Sequence, residues 1–355
     1  MRKEEKIVVG LSIGDLNGIG GELIIKTFED QRMFDFCTPV VFANVKVFSF
    51  LKKHFSSDIK FNSVNNLSQI VHGKLNVINA WKERVDIQFG KEDFNVGKMA
   101  IRSFTSATKA LKEKKVDVLL TAPINKHNIQ SDEFNFPGHT DYLNQELEGN
   151  SLMFMVSDQL KIGLLTDHVA VKDVANNINS DLIKEKINTI LQSLIKDFGV
   201  SKPKIAVLGI NPHTGDNGVI GAEDDEILRP TLNEIRDESK LVFGPYSADS
   251  FFGSKSHSNF DAIIASYHDQ GLIPFKTLTF GKGVNYTAGL NEVRVSPDHG
   301  TAFEIAGQGK ADIESFKEAL FTGIQIFKNR ATYEKISRKP LKKRNLKSEH
   351  KNKSA

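Results

Sequence analysis

Ala262-Ile263-Ile264-Ala265-Ser266-Tyr267-His268-Asp269-Gln270-Gly271-Leu272-Ile273-Pro274-Phe275-Lys276 is the stretch from which the fold is read. Its first four residues are an apolar run, the signature of a strand buried on both faces. The polar group that follows, from His268 to Lys276, reads as a loop at the carboxyl end of that strand. In open α/β sheets ligands bind outside the carboxyl ends of strands, so this loop is a site candidate. Two other segments repeat the pattern: Ile162-Gly163-Leu164-Leu165-Thr166-Asp167-His168 and Ile205-Ala206-Val207-Leu208-Gly209-Ile210-Asn211-Pro212-His213. Three strand ends that each carry a histidine, in a chain with ten, suggest imidazoles that converge.

Outward from these segments, strand-like and helix-like runs alternate. Residues 7–13, 39–43 and 116–121 read as strands. Residues 20–28, 97–114, 182–198, 227–238 and 313–327 read as helices. Ile183, Ile187, Ile190, Leu191, Leu194 and Ile195 fall on one helical face. This βαβα order predicts an α/β fold, a largely parallel sheet with helices on both faces. No Gly/Ser or Pro linker divides the chain. The expectation is one catalytic unit, residues 1–330, of two interlaced α/β/α subdomains with a cleft between them (roughly 1–134 plus 300–330, and 135–299).

Composition narrows the class. The chain has 355 residues, 39% hydrophobic and 26% charged, as in ordinary globular proteins. Its one cysteine, Cys37, excludes an intramolecular disulfide and a multi-cysteine zinc site, so a metal would need histidine and carboxylate ligands. The amino terminus carries no apolar signal region and no stretch is long enough for a membrane helix, so a cytoplasmic location is expected. The net charge of +3 hides an asymmetry: residues 335–355 carry +8, which leaves −5 for the rest. Residues 331–355 therefore read as a basic, disordered tail. An acidic body without aromatic-rich basic patches does not read as a nucleic-acid-binding domain.

Several motifs carry chemistry. Gly14-Asp15-Leu16-Asn17-Gly18-Ile19-Gly20-Gly21-Glu22 links a strand to a helix. It reads either as an anion cradle or as a tight turn that lets the helix pack, and it matches neither GxGxxG nor GxxxxGK[ST]. Phe136-Pro137-Gly138-His139-Thr140-Asp141-Tyr142-Leu143 reads as a turn entering a helix, with Thr140 as N-cap and His139 and Thr140 where helix amides face an anion. His168, His213 and His268 suit a divalent transition metal with open coordination positions. Lys276, Asn285 and Arg294 follow, and Lys and Arg are the usual partners of phosphate and carboxylate. Residues 296–309, from Ser296-Pro297-Asp298-His299 onward, read as a long polar loop.

Together these segments resemble the 4-hydroxythreonine-4-phosphate dehydrogenase family of vitamin B6 (pyridoxal phosphate) biosynthesis. The resemblance runs from about residue 7 to residue 328, through GDLNGIGGE at 14–22, TAPINK at 121–126, FPGHTDYL at 136–143, NPHTGDNG at 211–218, GPYSAD at 244–249, YHDQGLIPFK at 267–276, and GVNYTAGL through SPDHGTAFEIAGQG at 283–309. It implies an isocitrate/isopropylmalate dehydrogenase-like fold and an NAD-dependent oxidation and decarboxylation of 4-phosphooxy-L-threonine to 3-amino-2-oxopropyl phosphate. It implies His168, His213 and His268 as ligands of a divalent metal; zinc suits them, and cobalt, manganese or magnesium are alternatives. It implies substrate contacts at His139, Thr140, Lys276, Asn285 and Arg294. His299-Gly300-Thr301-Ala302 looks like the loop that holds the adenosine part of NAD in the related dehydrogenases. Lys276 is the candidate for proton transfer. The family is homodimeric, with the active site shared across the interface and the position of His268 supplied by the partner.

This chain departs from the usual family pattern at Leu16, Asn17 and Gly21, at Asp167 before His168, and at Tyr286 and Ala288 beside Asn285. Two other functions stand beside the first. One is a dehydrogenase of a phosphorylated four-carbon sugar acid such as 4-phosphoerythronate. The other is a non-catalytic polyanion-binding protein acting through the basic tail.

Overall fold

The computed structural model describes residues 6–131, 134–238 and 240–338. Among them the strands are β1 (Val8–Ser12), β2 (Thr38–Ala43), β3 (Phe61–Val64), β4 (Leu75–Asn79), β5 (Val118–Thr121), β6 (Gly149–Val156), β7 (Lys161–Leu164), β8 (Lys204–Leu208), β9 (Leu241–Tyr246), β10 (Ala262–Ala265), β11 (Val284–Leu290) and β12 (Val293–Pro297). They form one continuous sheet in the order β3-β4-β2-β1-β5-β12-β11-β6-β7-β10-β8-β9. The strands from β3 to β12 are mutually parallel, as are β7, β10, β8 and β9. Between these two parallel blocks, β11 runs antiparallel to both β12 and β6, and β6 antiparallel to β7. The sheet therefore reverses direction at its middle, a place where ligands collect in open α/β folds.

Helices cover both faces. Phe94–Lys112 packs on β1, β2 and β5; Ser180–Lys196 packs on β11; His268–Thr279 packs on β7; Glu314–Ser337 packs on β12, β11 and β5. Strand residues alternate between two cores: Val9 and Leu11 enter one, Val8 the other. The expected alternation is present, and the sequence-based helices at 20–28, 182–198 and 227–238 fall on observed ones.

Two expectations are corrected. The stretch after β10 is a helix, His268–Thr279, rather than a loop. His268, Asp269 and Gln270 form its first turn, while Gly271, Leu272, Phe275 and Thr279 bury one face at helical spacing. The tail does not begin at residue 331: the last helix runs from Glu314 to Ser337, and Arg330 is anchored inside the fold. The remainder of the basic segment, residues 339–355, lies outside the described residues.

No helix among the described residues is long and apolar enough to cross a membrane.

Candidate active site

A cleft of about 320 Å³ opens at the reversal point, within the usual range for ligand sites. Thr121 ends β5, Met153 and Met155 come from β6, Asn285 from β11, and Arg294 and Ser296 from β12; all line it. His139 and Thr140 enter at the start of the helix His139–Glu146. His268, Leu272 and Lys276 come from successive turns of the helix His268–Thr279, His168 from the segment after β7, and His299 and Gly300 from the loop after β12.

Arg294 is a deeply buried cation of the cleft, 2% exposed. Its Nη1 donates to Thr287 Oγ1 at 3.1 Å and its Nη2 to Thr121 Oγ1 at 2.7 Å. Nη2 also lies 3.1 Å from His139 Nδ1. A guanidinium can only donate, so Nδ1 accepts and the neutral ring carries its proton on Nε2. Burial, then the charges of Arg294 and Lys126, holds His139 well below the usual histidine range. Burial alone pulls Arg294 down to about 9, since none of the described residues supplies it an ion pair. A buried charge without a counter-ion is costly. An anionic ligand would supply what the protein does not.

Unpartnered polar atoms gather here. Arg294 Nε, His139 Nε2, Asn285 Oδ1 and His299 Nε2 are enclosed and make no hydrogen bond to protein. Such atoms are rare in folded proteins, and four around one cleft point to a ligand. The helix His139–Glu146 adds first-turn amides, because Gly138 precedes it and no side chain caps it. Thr140, the expected cap, is thus inside the helix, two residues past the actual cap position at Gly138.

At the other side of the cleft, Lys276 Nζ lies 3.1 Å from Asp298 Oδ1 and 3.2 Å from Asp298 O. Burial raises the Asp298 carboxyl, against the pull of Lys276. Burial likewise lowers His299.

A family model described as "Pyridoxal phosphate biosynthetic protein PdxA" matches residues 35–322. The chain belongs to the PdxA family. It is 43% identical over 343 residues to a protein of Bacteroides thetaiotaomicron named 4-hydroxythreonine-4-phosphate dehydrogenase, covering 96% of this chain and 94% of that one. It is 34% identical to a protein of Cupriavidus necator named D-threonate 4-phosphate dehydrogenase, covering 91% and 98%. A crystal structure of 4-hydroxythreonine-4-phosphate dehydrogenase from Klebsiella pneumoniae superposes with a TM-score of 0.78 at 29% identity, covering 92% and 99%.

The five substrate positions expected from the sequence, His139, Thr140, Lys276, Asn285 and Arg294, all line one cleft. The three expected metal ligands do not all meet. His168 and His268 both line the cleft, with ring centroids 6.3 Å apart. His213 is exposed on a separate turn. The Asp224 carboxylate accepts from the Ile210 and Asn211 amides, and left-handed backbone at His213 and Thr214 carries the turn outward. Among the described residues no three His, Cys, Asp or Glu side chains are placed to hold a metal ion. One chain therefore offers two imidazoles and, among the described residues, not a complete donor set.

Of the expected NAD loop, His299 and Gly300 face the cleft. The unpartnered His299 Nε2 suits a polar cofactor group. Thr301 instead receives the Ile19 amide and Ala302 turns with φ +46°. The Gly-rich segment 14–22 is fully buried and is the packing turn, not an anion cradle. Asp15 and Ile19 spend their amides on Pro123 O and Thr301 O. Gly14 has φ +72°, and a Cβ there would strike Pro123 O.

Thr121, Lys126 and Asp298 also line the cleft but were not singled out from the sequence. Thr121 could have been found as the one polar residue closing the apolar strand Val118-Leu119-Leu120-Thr121. Lys126 Nζ stands 3.5 Å from His168 Nε2, a pairing across 42 residues that no local pattern signals.

Proposed function

We propose that this chain is an NAD-dependent dehydrogenase of 4-hydroxythreonine 4-phosphate, acting in pyridoxal phosphate biosynthesis. Membership of the PdxA family supports the reaction class. The observation that carries the site is Arg294, a buried cation with no counter-ion in a cleft rich in unpartnered polar atoms. The substrate is anionic at both ends, and Arg294, His139 Nε2–H and the first-turn amides at Thr140 form one anion-binding group. Lys276 forms a second.

His299 and Gly300 would hold NAD, which would supply the hydride acceptor for oxidation at C3. The hydroxyl proton would pass through Lys276, the proposed proton-transfer residue, to the Asp298 carboxylate, which leaves Lys276 a cation. The 3-oxo acid that results is a β-keto acid and loses CO₂. Lys276 offers a cation to the negative charge that develops on the C3 oxygen. Reprotonation leaves 3-amino-2-oxopropyl phosphate.

A divalent metal remains part of the proposal only for an assembled dimer. His168 and His268 line one chain's cleft, which supports a reading in which both come from the same chain, beside the expected one in which the partner supplies His268. In the first of these, the exposed His213 is the histidine a second copy would bring.

A second reading has one observation in its favour, the relative named for D-threonate 4-phosphate. That molecule carries a hydroxyl where hydroxythreonine has an amino group, and the cation set would grip its phosphate and carboxylate equally.

The test is NADH absorbance with 4-phosphooxy-L-threonine and, separately, D-threonate 4-phosphate, each with and without a chelator. NADH from the threonine derivative is expected. NADH from the sugar acid alone would transfer the chain to the second reading, and none from either would overturn both.

A further inference from the structure

The Lys276–Asp298 pair is fixed from behind by a residue that does not line the cleft. Gly283 directly precedes β11 and Asp298 directly follows β12. The two strands are antiparallel, with Asn285 opposite Ser296 and Val284 opposite Pro297. The next pair in that register is Gly283 with Asp298. There a side chain from a third element takes over from the ladder. Ser315 Oγ accepts from the Asp298 amide at 3.0 Å and donates to the Gly283 carbonyl at 2.8 Å. Ser315 is the second residue of the helix Glu314–Ser337 and is 5% exposed. Its single proton and an oxygen lone pair are both committed to these two strand ends.

The consequence falls on Lys276. Its ammonium lies 3.1 Å from Asp298 Oδ1 and 3.2 Å from Asp298 O, so it is gripped by the side chain and the carbonyl of the residue whose amide Ser315 holds. The other carboxylate oxygen is confined as well. A Cβ on Gly283 would stand 2.8 Å from Asp298 Oδ2 and 2.6 Å from Phe275 Cε1, so the backbone there closes on the carboxylate with no room for a side chain. The Lys276 side chain is itself 53% exposed. A lysine with that freedom has many rotamers, and the grip of Asp298 selects one.

Charge separates a positioning role from an electrostatic one. The charged and titratable groups that face Asp298 are Lys276, His299 and His268, and Asp312 faces His299. Ser315 is neutral. Replacing it by alanine alters no charge, so any effect on the pair comes from displacement.

We infer that Ser315 is a positioning residue for proton transfer, holding the Asp298 amide and the Gly283 carbonyl so that the Asp298 carboxylate stays against Lys276. The inference rests on the role proposed above for that pair.

Ser315→Ala should lower kcat about tenfold and leave KM within about twofold. The Lys276 charge stays in the cleft and still attracts the anion, whereas proton transfer needs hydrogen-bond reach. Ser315→Thr keeps the hydroxyl and should restore most of kcat. Phe316→Leu, one residue on and wholly buried, is the control for a loosened helix. It should lower the thermal midpoint and keep kcat when assayed well below that midpoint. Labelling with acetic anhydride, read by peptide mass spectrometry, asks the same question without turnover. In Ser315→Ala, Lys276 should react about threefold faster relative to the distant Lys204 than in the wild type, the weight of one modest hydrogen bond. In Phe316→Leu that ratio should not change. Equal Lys276 labelling in wild type and Ser315→Ala overturns the inference, as does a loss of kcat shared by Phe316→Leu. If the wild type forms no NADH, the dehydrogenase reading fails, and the labelling still decides whether Ser315 positions the pair.

Discussion

Arg294 and His139 meet at 3.1 Å, Nη2 to Nδ1, and the arginine's other partners are two threonine hydroxyls, with no carboxylate among the described residues. Structural arginines this deep are normally neutralised by an acid. Leaving one bare at a cleft places the missing charge on the ligand. Inorganic phosphate should therefore stabilise the wild type, by about 2.7 kcal/mol at a hundredfold excess over its dissociation constant. Arg294→Met should abolish that shift and lower kcat/KM on the order of a thousandfold. Calorimetry with and without phosphate checks the first part. A variant still stabilised by phosphate would remove Arg294 from the anion site.

The neutral histidines set an acid limit. His139 and His299 are both held below the ordinary value, His139 by burial and then by Arg294 and Lys126, and His299 by burial. As pH falls through about 6.5, the unfolded chain takes up protons that these folded side chains refuse. Stability is complete above that value and is lost as pH falls through it. Asp15 and Asp298 are raised by burial and act in the opposite direction, but within the carboxylate range below. The thermal midpoint should thus fall between about pH 7.5 and about pH 5.5. The slope should be shallower in His139→Gln; an identical slope would assign the effect elsewhere.

Much of this was legible in the sequence, and for identifiable reasons. The apolar runs ending at Leu164, Leu208 and Ala265 are adjacent parallel strands in the sheet, and a strand end fixes where a side chain can begin. It does not fix which way the following turn points. His168 and His268 reach the cleft, whereas Asp224, eleven residues beyond His213, pulls that turn aside. The polar first turn of the helix His268–Thr279 masked its buried face. Tyr286 was visible as a departure beside Asn285, but alternation along β11 sends the two to opposite faces. Asn285 lines the cleft, and Tyr286 is wholly buried away from it.

Tyr286 belongs instead to the anchor of the last helix. Its hydroxyl donates to Asp197 Oδ2 at 2.6 Å and accepts from Arg330 Nη2 at 2.8 Å, while Arg330 Nε reaches Asp197 Oδ1 at 2.6 Å. Tyr286→Phe should cost about 1–3 kcal/mol, since the lost bonds go to charged groups, and should leave KM unchanged. Arg330→Met strands Asp197 in the interior and should cost about 3–5 kcal/mol. Denaturant unfolding gives both values. A KM change in Tyr286→Phe without loss of stability would place the phenol in the site after all.

The separation of His213 from His168 and His268 yields the sharpest test of a shared site. In a symmetric dimer where His168 and His268 come from one chain and His213 from the other, an inactive His168→Ala chain mixed with an inactive His213→Ala chain forms heterodimers. One of their two sites combines both defects, and the other contains none. With random re-association, mixing should restore about a quarter of wild-type activity. His168→Ala mixed with His268→Ala should restore nothing, because each site then lacks one of the two. If the partner supplied His268 instead, this second mixture would recover activity and the first would not. Activity recovered by neither mixture, with dimers present by sedimentation, would mean that each chain completes its own site, and His213 would lose its assigned place.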